Sequence, residues 1–408
     1  MRCRHCRSEE LHSFLDLGSA PPSNAYLSAA DLQAPEKWFP LRVRVCGVCW
    51  LVQTEDYTFH DQLFAADYAY FSSFSTSWLD HARAYVGAMV ERFQLDGGSK
   101  VVEIAANDGY LLQYVAARGI PCLGVEPTAS TAAAARAKGI PIVEKFFGTS
   151  LAGELRGSGH AADLMAANNV LAHVPDINDF VAGFAALLKP DGVATFEFPH
   201  LLQLVQQGQF DTVYHEHFSY LSLSTVQRIF AANGLTVFSV EEIPTHGGSL
   251  RVYAQRSDRM FRPVDPSVAA LARREAEVGM NALNFYSAFQ ARAEGIKDDF
   301  VAFLIAAKRE GKKIAAYGAA AKGNTLLNFA GIKSDLISFV VDRNPAKRDR
   351  YLPGSRIPIV GEEALAAHRP DYVVILPWNL RDEVMAQLSG IAAWGGRFVW
   401  AVPKLTIQ

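Results

Sequence analysis

From residue 100 onward, short apolar runs alternate with stretches of helical period. Segments 100–104 (KVVEI), 121–125 (PCLGV), 140–143, 162–167 and 192–198 have the length and apolar content of buried strands. Between them lie the helix-like YLLQYVAARG and the segments 129–138 and 177–188. Strands alternating with helices predict a parallel, doubly wound sheet with ligands at the carboxyl ends of its strands. Segment 223–232 is predicted helical, with a Ser/Thr-rich start. Segments 235–242 and 249–254 are predicted strands on either side of Pro-Thr-His-Gly-Gly, an antiparallel pair closing the sheet edge. Residues 264–310 have few breakers and many Ala, Glu, Arg and Lys, a pattern of long helices. A second α/β unit follows, with strands at 312–317, 336–341, 371–376 and 396–402.

The chain has 408 residues, half of them apolar, more than one core accommodates. Two or three units are expected. With 39 basic and 42 acidic side chains the formal charge is −3, and no basic face favours nucleic acid. No apolar run approaches the roughly 20 residues of a membrane span. The start, MRCRHCRSEE, has no apolar signal core. Five cysteines in so long a chain suit a reduced, cytoplasmic protein in which clustered thiols bind metal.

Four of those cysteines form two knuckles, Cys3-x-x-Cys6 and Cys46-x-x-Cys49, separated by 39 residues. Such pairs turn two thiolates onto one ion, and together they complete a tetrahedral, closed, structural zinc site. The long separation implies a looped insertion, expected at 15–40. His5 lies inside the first knuckle and is set aside as a ligand.

The loop after the 100–104 strand, Ala105-Ala106-Asn107-Asp108-Gly109, lacks the G-x-G-x-x-G cradle of a dinucleotide. An acid-bearing loop, with Glu126 closing the next strand to receive ribose hydroxyls, suits a cofactor with a ribose and no phosphate: S-adenosylmethionine. An acid that merely caps a helix looks the same. The heptapeptide 214–220, YHEHFSY, also stays open between readings. His215 and His217 share a face if the stretch is extended and could chelate an ion, but no third ligand lies nearby in sequence. A polar loop after the 192–198 strand and a catalytic set fit the composition equally.

VVEIAANDGYLL, GVEPT, NNVLAHVPD, YHEHFSY, HGGSLRVY and GAAAKGNTLLN follow one another in this order behind the paired knuckles. In this combination the chain resembles, over nearly its whole length, the sugar C-methyltransferases that act on nucleotide-linked 4-keto-deoxysugars. The resemblance implies an α/β fold with a small N-terminal zinc-binding domain, a class I methyltransferase Rossmann-like domain and a second, C-terminal Rossmann-like domain. The expected units are 1–75, 76–260 and 261–408. It implies that Glu103, Asn107, Asp108 and Gly109 line the methionine end of S-adenosylmethionine. Glu126 would hold the ribose, Phe147 the adenine, and Asn168 a backbone-side contact. Ala105 departs from the glycine usual in that loop. His217 matches the base; Tyr214 and His173 match residues near the ketone oxygen; Glu216 matches a carboxylate that orients the base or touches the sugar. Tyr68 matches a tyrosine reaching in from the N-terminal region, with Tyr70 beside it on the cleft wall.

The chemistry agrees with that assignment. A sugar carbon becomes nucleophilic beside a carbonyl, through an enolate, which needs a base, donors to the developing oxyanion and a dry pocket. Histidine is the natural base near neutral pH. C3 and C5 both flank a C4 ketone, and C3 is favoured. His246 and Arg251 bracket the Pro-Thr-His-Gly-Gly turn, where an arginine fork suits a diphosphate. In the C-terminal unit the turn from Gly318 to Asn324 carries Lys322 at a helix start, a place for the substrate's diphosphate. A dTDP-linked sugar, a structural zinc and a monomer complete the expectation. The competing readings are an NAD-dependent nucleotide-sugar oxidoreductase or epimerase, opposed by the missing glycines, and a zinc-ribbon binding module, opposed by the balanced charge.

Overall fold

The computed structural model describes residues 1–57 and 71–408. Tyr68 and Tyr70 lie outside the described residues. Three sheets organise the described residues. The first is antiparallel and contains β1 (Leu11–Ala20), β2 (Phe39–Cys46), β3 (Val52–Thr54) and a strand contributed from far downstream. The insertion expected as a loop at 15–40 is therefore partly a ladder. Leu11 pairs with Cys46 and Ala20 with Phe39, so the chain runs out along β1 and returns along β2. That return brings the two knuckles together, whatever the number of residues between them.

The four sulfurs lie within 4.8 Å of one another, with Cys3–Cys49 at 3.4 Å and Cys6–Cys46 at 3.5 Å. Thiolates about 2.3 Å from a tetrahedral ion require spacings close to these. The residues fit a structural zinc held by Cys3, Cys6, Cys46 and Cys49. Among the described residues they are the one group able to hold a metal.

The second sheet contains β4 (Val101–Ile104), β5 (Cys122–Val125), β6 (Ile142–Val143), β7 (Ala162–Asn168), β8 (Leu188–Pro199), β10 (Leu235–Ile243) and β11 (Ser249–Arg256). Its order is β10-β11-β8-β7-β4-β5-β6. Strands β4 to β8 are parallel, and β11 is wedged antiparallel between β8 and β10. This is the class I methyltransferase order. The strand expected at 162–167 extends one residue further, and ADLMAAN is buried at nearly every position, as a central parallel strand requires. Ser75, Asp176, Ser222 and Asp265 each cap a helix through a side-chain oxygen, fixing the starts of the helices Thr76–Phe93, Ile177–Leu187, Leu223–Ala232 and Pro266–Glu277.

The remaining strand of the first sheet is β9 (Ser219–Tyr220), the end of YHEHFSY, which pairs with Val52 and Gln53. The third sheet holds β12 (Ile314–Tyr317), β13 (Val340–Val341), β14 (Ile359–Val360), β15 (Tyr372–Ile375), β16 (Arg397–Trp400) and β17 (Thr406–Ile407) in the order β14-β13-β12-β15-β16-β17, parallel except for the last. Its core is continuous with that of the first sheet. Phe14 of β1 stacks on Phe289 at 4.8 Å and meets Tyr286 edge-on, and both join the cluster that runs through Leu304 to Val373. No helix among the described residues is long and apolar enough to cross a membrane.

Because β9 hangs on the zinc-bearing sheet, metal removal reaches beyond the knuckles. The protein is expected to hold about one zinc per chain. Chelation, or Cys49→Ser, should lower both metal content and Tm. A melt that stays put after elemental analysis shows the zinc gone would overturn the structural assignment.

Candidate active site

At the carboxyl end of β4 the chain turns through three left-handed residues, Ala105 (φ 58°), Asn107 (φ 48°) and Gly109 (φ 74°). Only glycine fits the last: a Cβ there would lie 3.2 Å from Ile140 Cγ1 and 3.3 Å from Ala135 Cβ. Glu126, closing β5, accepts the amide N–H of Asn107 at Oε2 and of Thr128 at Oε1, both at 2.9 Å. Around this turn several buried polar atoms have no hydrogen-bond partner: Oδ1 of Asp108 and both amide atoms of Asn168. Burial holds the Glu103 carboxyl well above the usual carboxylate range. Unsatisfied buried acceptors are costly unless a ligand supplies the donors. The ammonium and ribose hydroxyls of S-adenosylmethionine would supply donors and its carboxylate would accept from Asn168 Nδ2, and these residues fit it.

Two expected contacts have other work. Asn107 Oδ1 accepts the N–H of Ser72 at 2.9 Å, and Asp108 Oδ2 accepts that of Ser73 at 3.3 Å and faces Lys138. They strap the segment before helix Thr76–Phe93 over the turn. Phe147 packs edge-on against Phe180 and Phe184 at 5.7 and 5.3 Å. It is partly buried against the core of the second sheet.

YHEHFSY is not a solvated loop. Every residue from His215 to Tyr220 is buried. His217 Nδ1 lies 3.0 Å from the carbonyl oxygen of Thr212. A carbonyl can only accept, so Nδ1 carries the proton and Nε2 keeps the basic lone pair. The ring packs 3.9 Å from that of Tyr214 and 4.5 Å from that of His173, centroid to centroid. Burial, and then the nearby His173, His246 and Lys322, hold its pKa well below the usual histidine value. His217 is therefore neutral and available as a base at neutral pH.

Three expectations for this stretch are revised. His215 does not share a face with His217: its Nε2–H points at the carbonyls of Phe39 and Pro40 at 3.3 and 3.2 Å, toward the first sheet. With both rings turned to different carbonyls, the pair cannot chelate. The Glu216 carboxylate does not orient the base; the Thr212 carbonyl does. Glu216 Oε1 instead accepts Asn24 Nδ2 at 3.2 Å, Oε2 is buried without a partner, and burial raises its pKa. His173 donates Nδ1–H to the Glu216 carbonyl at 2.8 Å, and burial lowers its pKa to about 4. Its Nε2 is then a lone-pair nitrogen, which accepts a proton and cannot donate one to an enolate oxygen.

Arg251 is also reassigned. It donates to Glu197 Oε1 through Nε at 2.7 Å and Nη2 at 2.6 Å, and to Glu241 at 3.2 Å, above the ring of Tyr85. A buried fork already filled by carboxylates has no capacity for a diphosphate. His81 lies in no motif, yet its Nε2 meets Glu197 Oε2 at 2.7 Å across 116 residues. His81 stacks on Trp78 at 4.8 Å, and Trp78 in turn faces Tyr110 and His246. His246 sits in a left-handed turn residue (φ 55°), and burial lowers its pKa to about 4.

Lys322 opens the helix Ala321–Phe329, donates to Asn379 Oδ1 at 2.8 Å and lies 4.6 Å over the Trp378 ring. Burial lowers its pKa to about 8, against the pull of Asp211. Asn324, expected at the substrate, is buried and donates to the Ser23 carbonyl at 2.6 Å. It ties the third sheet to the tip of the β1–β2 excursion, where Tyr26 Oη also donates to the Ala319 carbonyl at 2.5 Å.

A class I sheet with a polar, buried cofactor turn and a neutral histidine at its carboxyl edge defines an S-adenosylmethionine-binding methyltransferase. Comparison with known proteins agrees in all three parts: a zinc binding domain profile matches residues 3–64, a methyltransferase domain profile 78–240, and a C-methyltransferase C-terminal domain profile 244–403. The chain is 34% identical to the C-methyltransferase NovU of Streptomyces niveus over 402 residues, 98% of this chain and 95% of that one. It belongs to this C-methyltransferase family. Among solved structures it is similar to magnesium protoporphyrin IX methyltransferase of Synechocystis PCC 6803 with bound SAM (17% identity, 44% of this chain and 79% of that one, TM-score 0.34). It is also similar to the PH0226 protein of Pyrococcus horikoshii (12% identity, 50% and 100%, TM-score 0.38).

Ala105 tests the cofactor turn. A left-handed alanine costs on the order of 1 kcal/mol, partly offset by the entropy a glycine adds to the unfolded chain. Ala105→Gly should therefore tighten S-adenosylmethionine binding in calorimetry while moving Tm little. Weaker binding would mean that the Cβ is a contact rather than an obstruction.

Proposed function

We propose that this enzyme methylates a nucleotide-linked 4-keto-deoxysugar at the carbon beside the ketone, C3 being favoured, with His217 as the base. The observation that carries the proposal is the bond from His217 Nδ1–H to the Thr212 carbonyl. It fixes one tautomer and presents a basic Nε2 in a buried site, as proton abstraction next to a carbonyl requires. S-adenosylmethionine, when bound, supplies the electrophilic methyl. His217 takes the α-proton, and the electron pair of that C–H bond moves toward the ketone oxygen. Tyr214, stacked on the base, donates its hydroxyl to that oxygen. His173 accepts a sugar hydroxyl at Nε2, and the unpaired Glu216 Oε2 receives another. Lys322 meets the anionic diphosphate; its charge lies close enough to His217 to help depress the base's pKa. A dTDP-linked substrate is the working choice. The resemblance to a C-methyltransferase supports carbon as the acceptor.

His217→Asn should slow solvent-deuterium exchange of the α-hydrogen, measured by mass spectrometry without cofactor, by about 10²–10⁴-fold with Tm retained. Exchange at the wild-type rate would remove His217 as base. The base works unprotonated and its pKa is depressed, so the acid limb of kcat/KM should lie below pH 6.5. An acid limb at or above that value would contradict the buried, neutral imidazole.

For the diphosphate contact, Lys322→Ala should raise KM for the nucleotide sugar about tenfold and change kcat less. The same KM should climb above pH 8, as the lysine loses its charge. A fall in kcat at constant KM would move Lys322 from the diphosphate to the reacting oxygen.

A further inference from the structure

Trp378 stands where the third sheet meets the segment that carries the base. It follows β15 in the turn Trp378–Leu380. Its indole N–H donates to Asp211 Oδ2 at 2.7 Å. Asp211 has no exposed surface and lies in the middle of the turn Phe210–Thr212. The turn itself is closed by the Thr212 N–H to the Gln209 carbonyl and the Val213 N–H to the Phe210 carbonyl. The carboxylate therefore ties one indole to the turn Phe210–Thr212, one residue before the Thr212 carbonyl that accepts His217 Nδ1–H.

The grip is reinforced on both sides. Thr325 Oγ1, from the helix that begins beside Lys322, donates to the Val213 carbonyl at 2.8 Å. Trp378 packs so closely on Gly247 that a Cβ there would stand 2.5 Å from Cη2. Gln209 Nε2 donates to the Gly247 carbonyl at 2.8 Å. One indole thus touches the turn before His217 and the turn that holds His246, while its face carries the Lys322 ammonium.

We infer that Trp378 and Asp211 are positioning residues: their bond fixes the Thr212 carbonyl, and through it the tautomer and aim of His217. Docking of the third sheet is then part of assembling the base, not only of holding the nucleotide. This inference rests on the reading of His217 as the base. A base displaced by about 1 Å loses on the order of a hundredfold in rate. Loss of one bond in a turn held elsewhere by Thr325 should have a smaller effect than that.

The test uses the full, zinc-replete chain and follows α-deuterium exchange of a nucleotide 4-keto-6-deoxysugar without cofactor. Tm and S-adenosylmethionine affinity are measured on each variant. Trp378→Phe keeps the ring and removes the donor; Asp211→Ala removes the acceptor. Both should slow exchange about tenfold with cofactor affinity kept, the loss appearing in kcat more than in KM. Asp211→Asn retains an oxygen for the indole N–H and should recover most of the rate. A wild-type rate in Trp378→Phe would overturn the inference. So would Asp211→Asn being as slow as Asp211→Ala, since the charge and not the bond would then matter. If Asp211→Ala fails to fold, Trp378→Phe and Asp211→Asn decide between them. His217→Asn separates the two levels: if it exchanges normally, the base reading falls and the inference with it; if it is dead while Trp378→Phe is unimpaired, the positioning role alone falls.

Discussion

A dozen residues, from Gln209 to Tyr220, run through the interior with little regular structure, and the rest of the architecture answers to them. Buried backbone must find partners, and a loop placed inside a protein is normally costly for that reason. Here the partners come from every quarter. Phe218 N–H bonds Ala172 O, Thr54 N–H bonds Phe218 O, and Thr54 Oγ1 bonds His217 O. Val52 and Gln53 pair with Tyr220 and Ser219, and Thr325 takes the Val213 carbonyl. The zinc sheet, the methyltransferase sheet and the C-terminal sheet each own part of the segment. Removing any of the three would leave unsatisfied peptide groups at the place where chemistry is proposed.

The same burial sets the electrostatics. His173, His217 and His246 are all held below the ordinary histidine pKa, chiefly by loss of water. Lys322 stays as a cation of reduced pKa among them, and each charge nearby makes a second one harder to place. Neutral imidazoles with fixed tautomers result: a carbonyl oxygen behind His217 and another behind His173 decide which nitrogen faces inward. Deeper in the sheet the opposite solution appears. Glu197 is kept ionised, below its usual pKa despite burial, by His81 and Arg251.

Local rules went far in the sequence. Strand and helix alternation, the thiol knuckles and the turn after β4 are short-range patterns, and period and spacing disclose them. The helix at 223–232 agrees to the residue. What escaped were contacts between distant segments. Nothing near Arg251 says that Glu197 will fill its guanidinium, and nothing near His215 says that β2 will supply its carbonyls. Asp211 and Trp378 are 167 residues apart. Two histidines spaced by one residue look equivalent on an extended strand; the turn at Tyr214–His217, closed by His217 N–H to Tyr214 O, rotates them apart. The strand character of β1 is hidden in the sequence because its polar residues face solvent while Phe14, Leu15 and Leu17 join a core built by helices near residue 289.

The shared core of the first and third sheets bears on how such enzymes diversify. Phe14 rests on Phe289, Tyr26 reaches Ala319, and Asn324 holds Ser23, so the two ends of the polypeptide close over the middle like the halves of a clasp. A recombination event that exchanged only one end would pair mismatched halves and expose their common apolar face. The two terminal segments are therefore a matched set around the central sheet, and designed chimeras should cross over twice, inside the central sheet's flanks, rather than once.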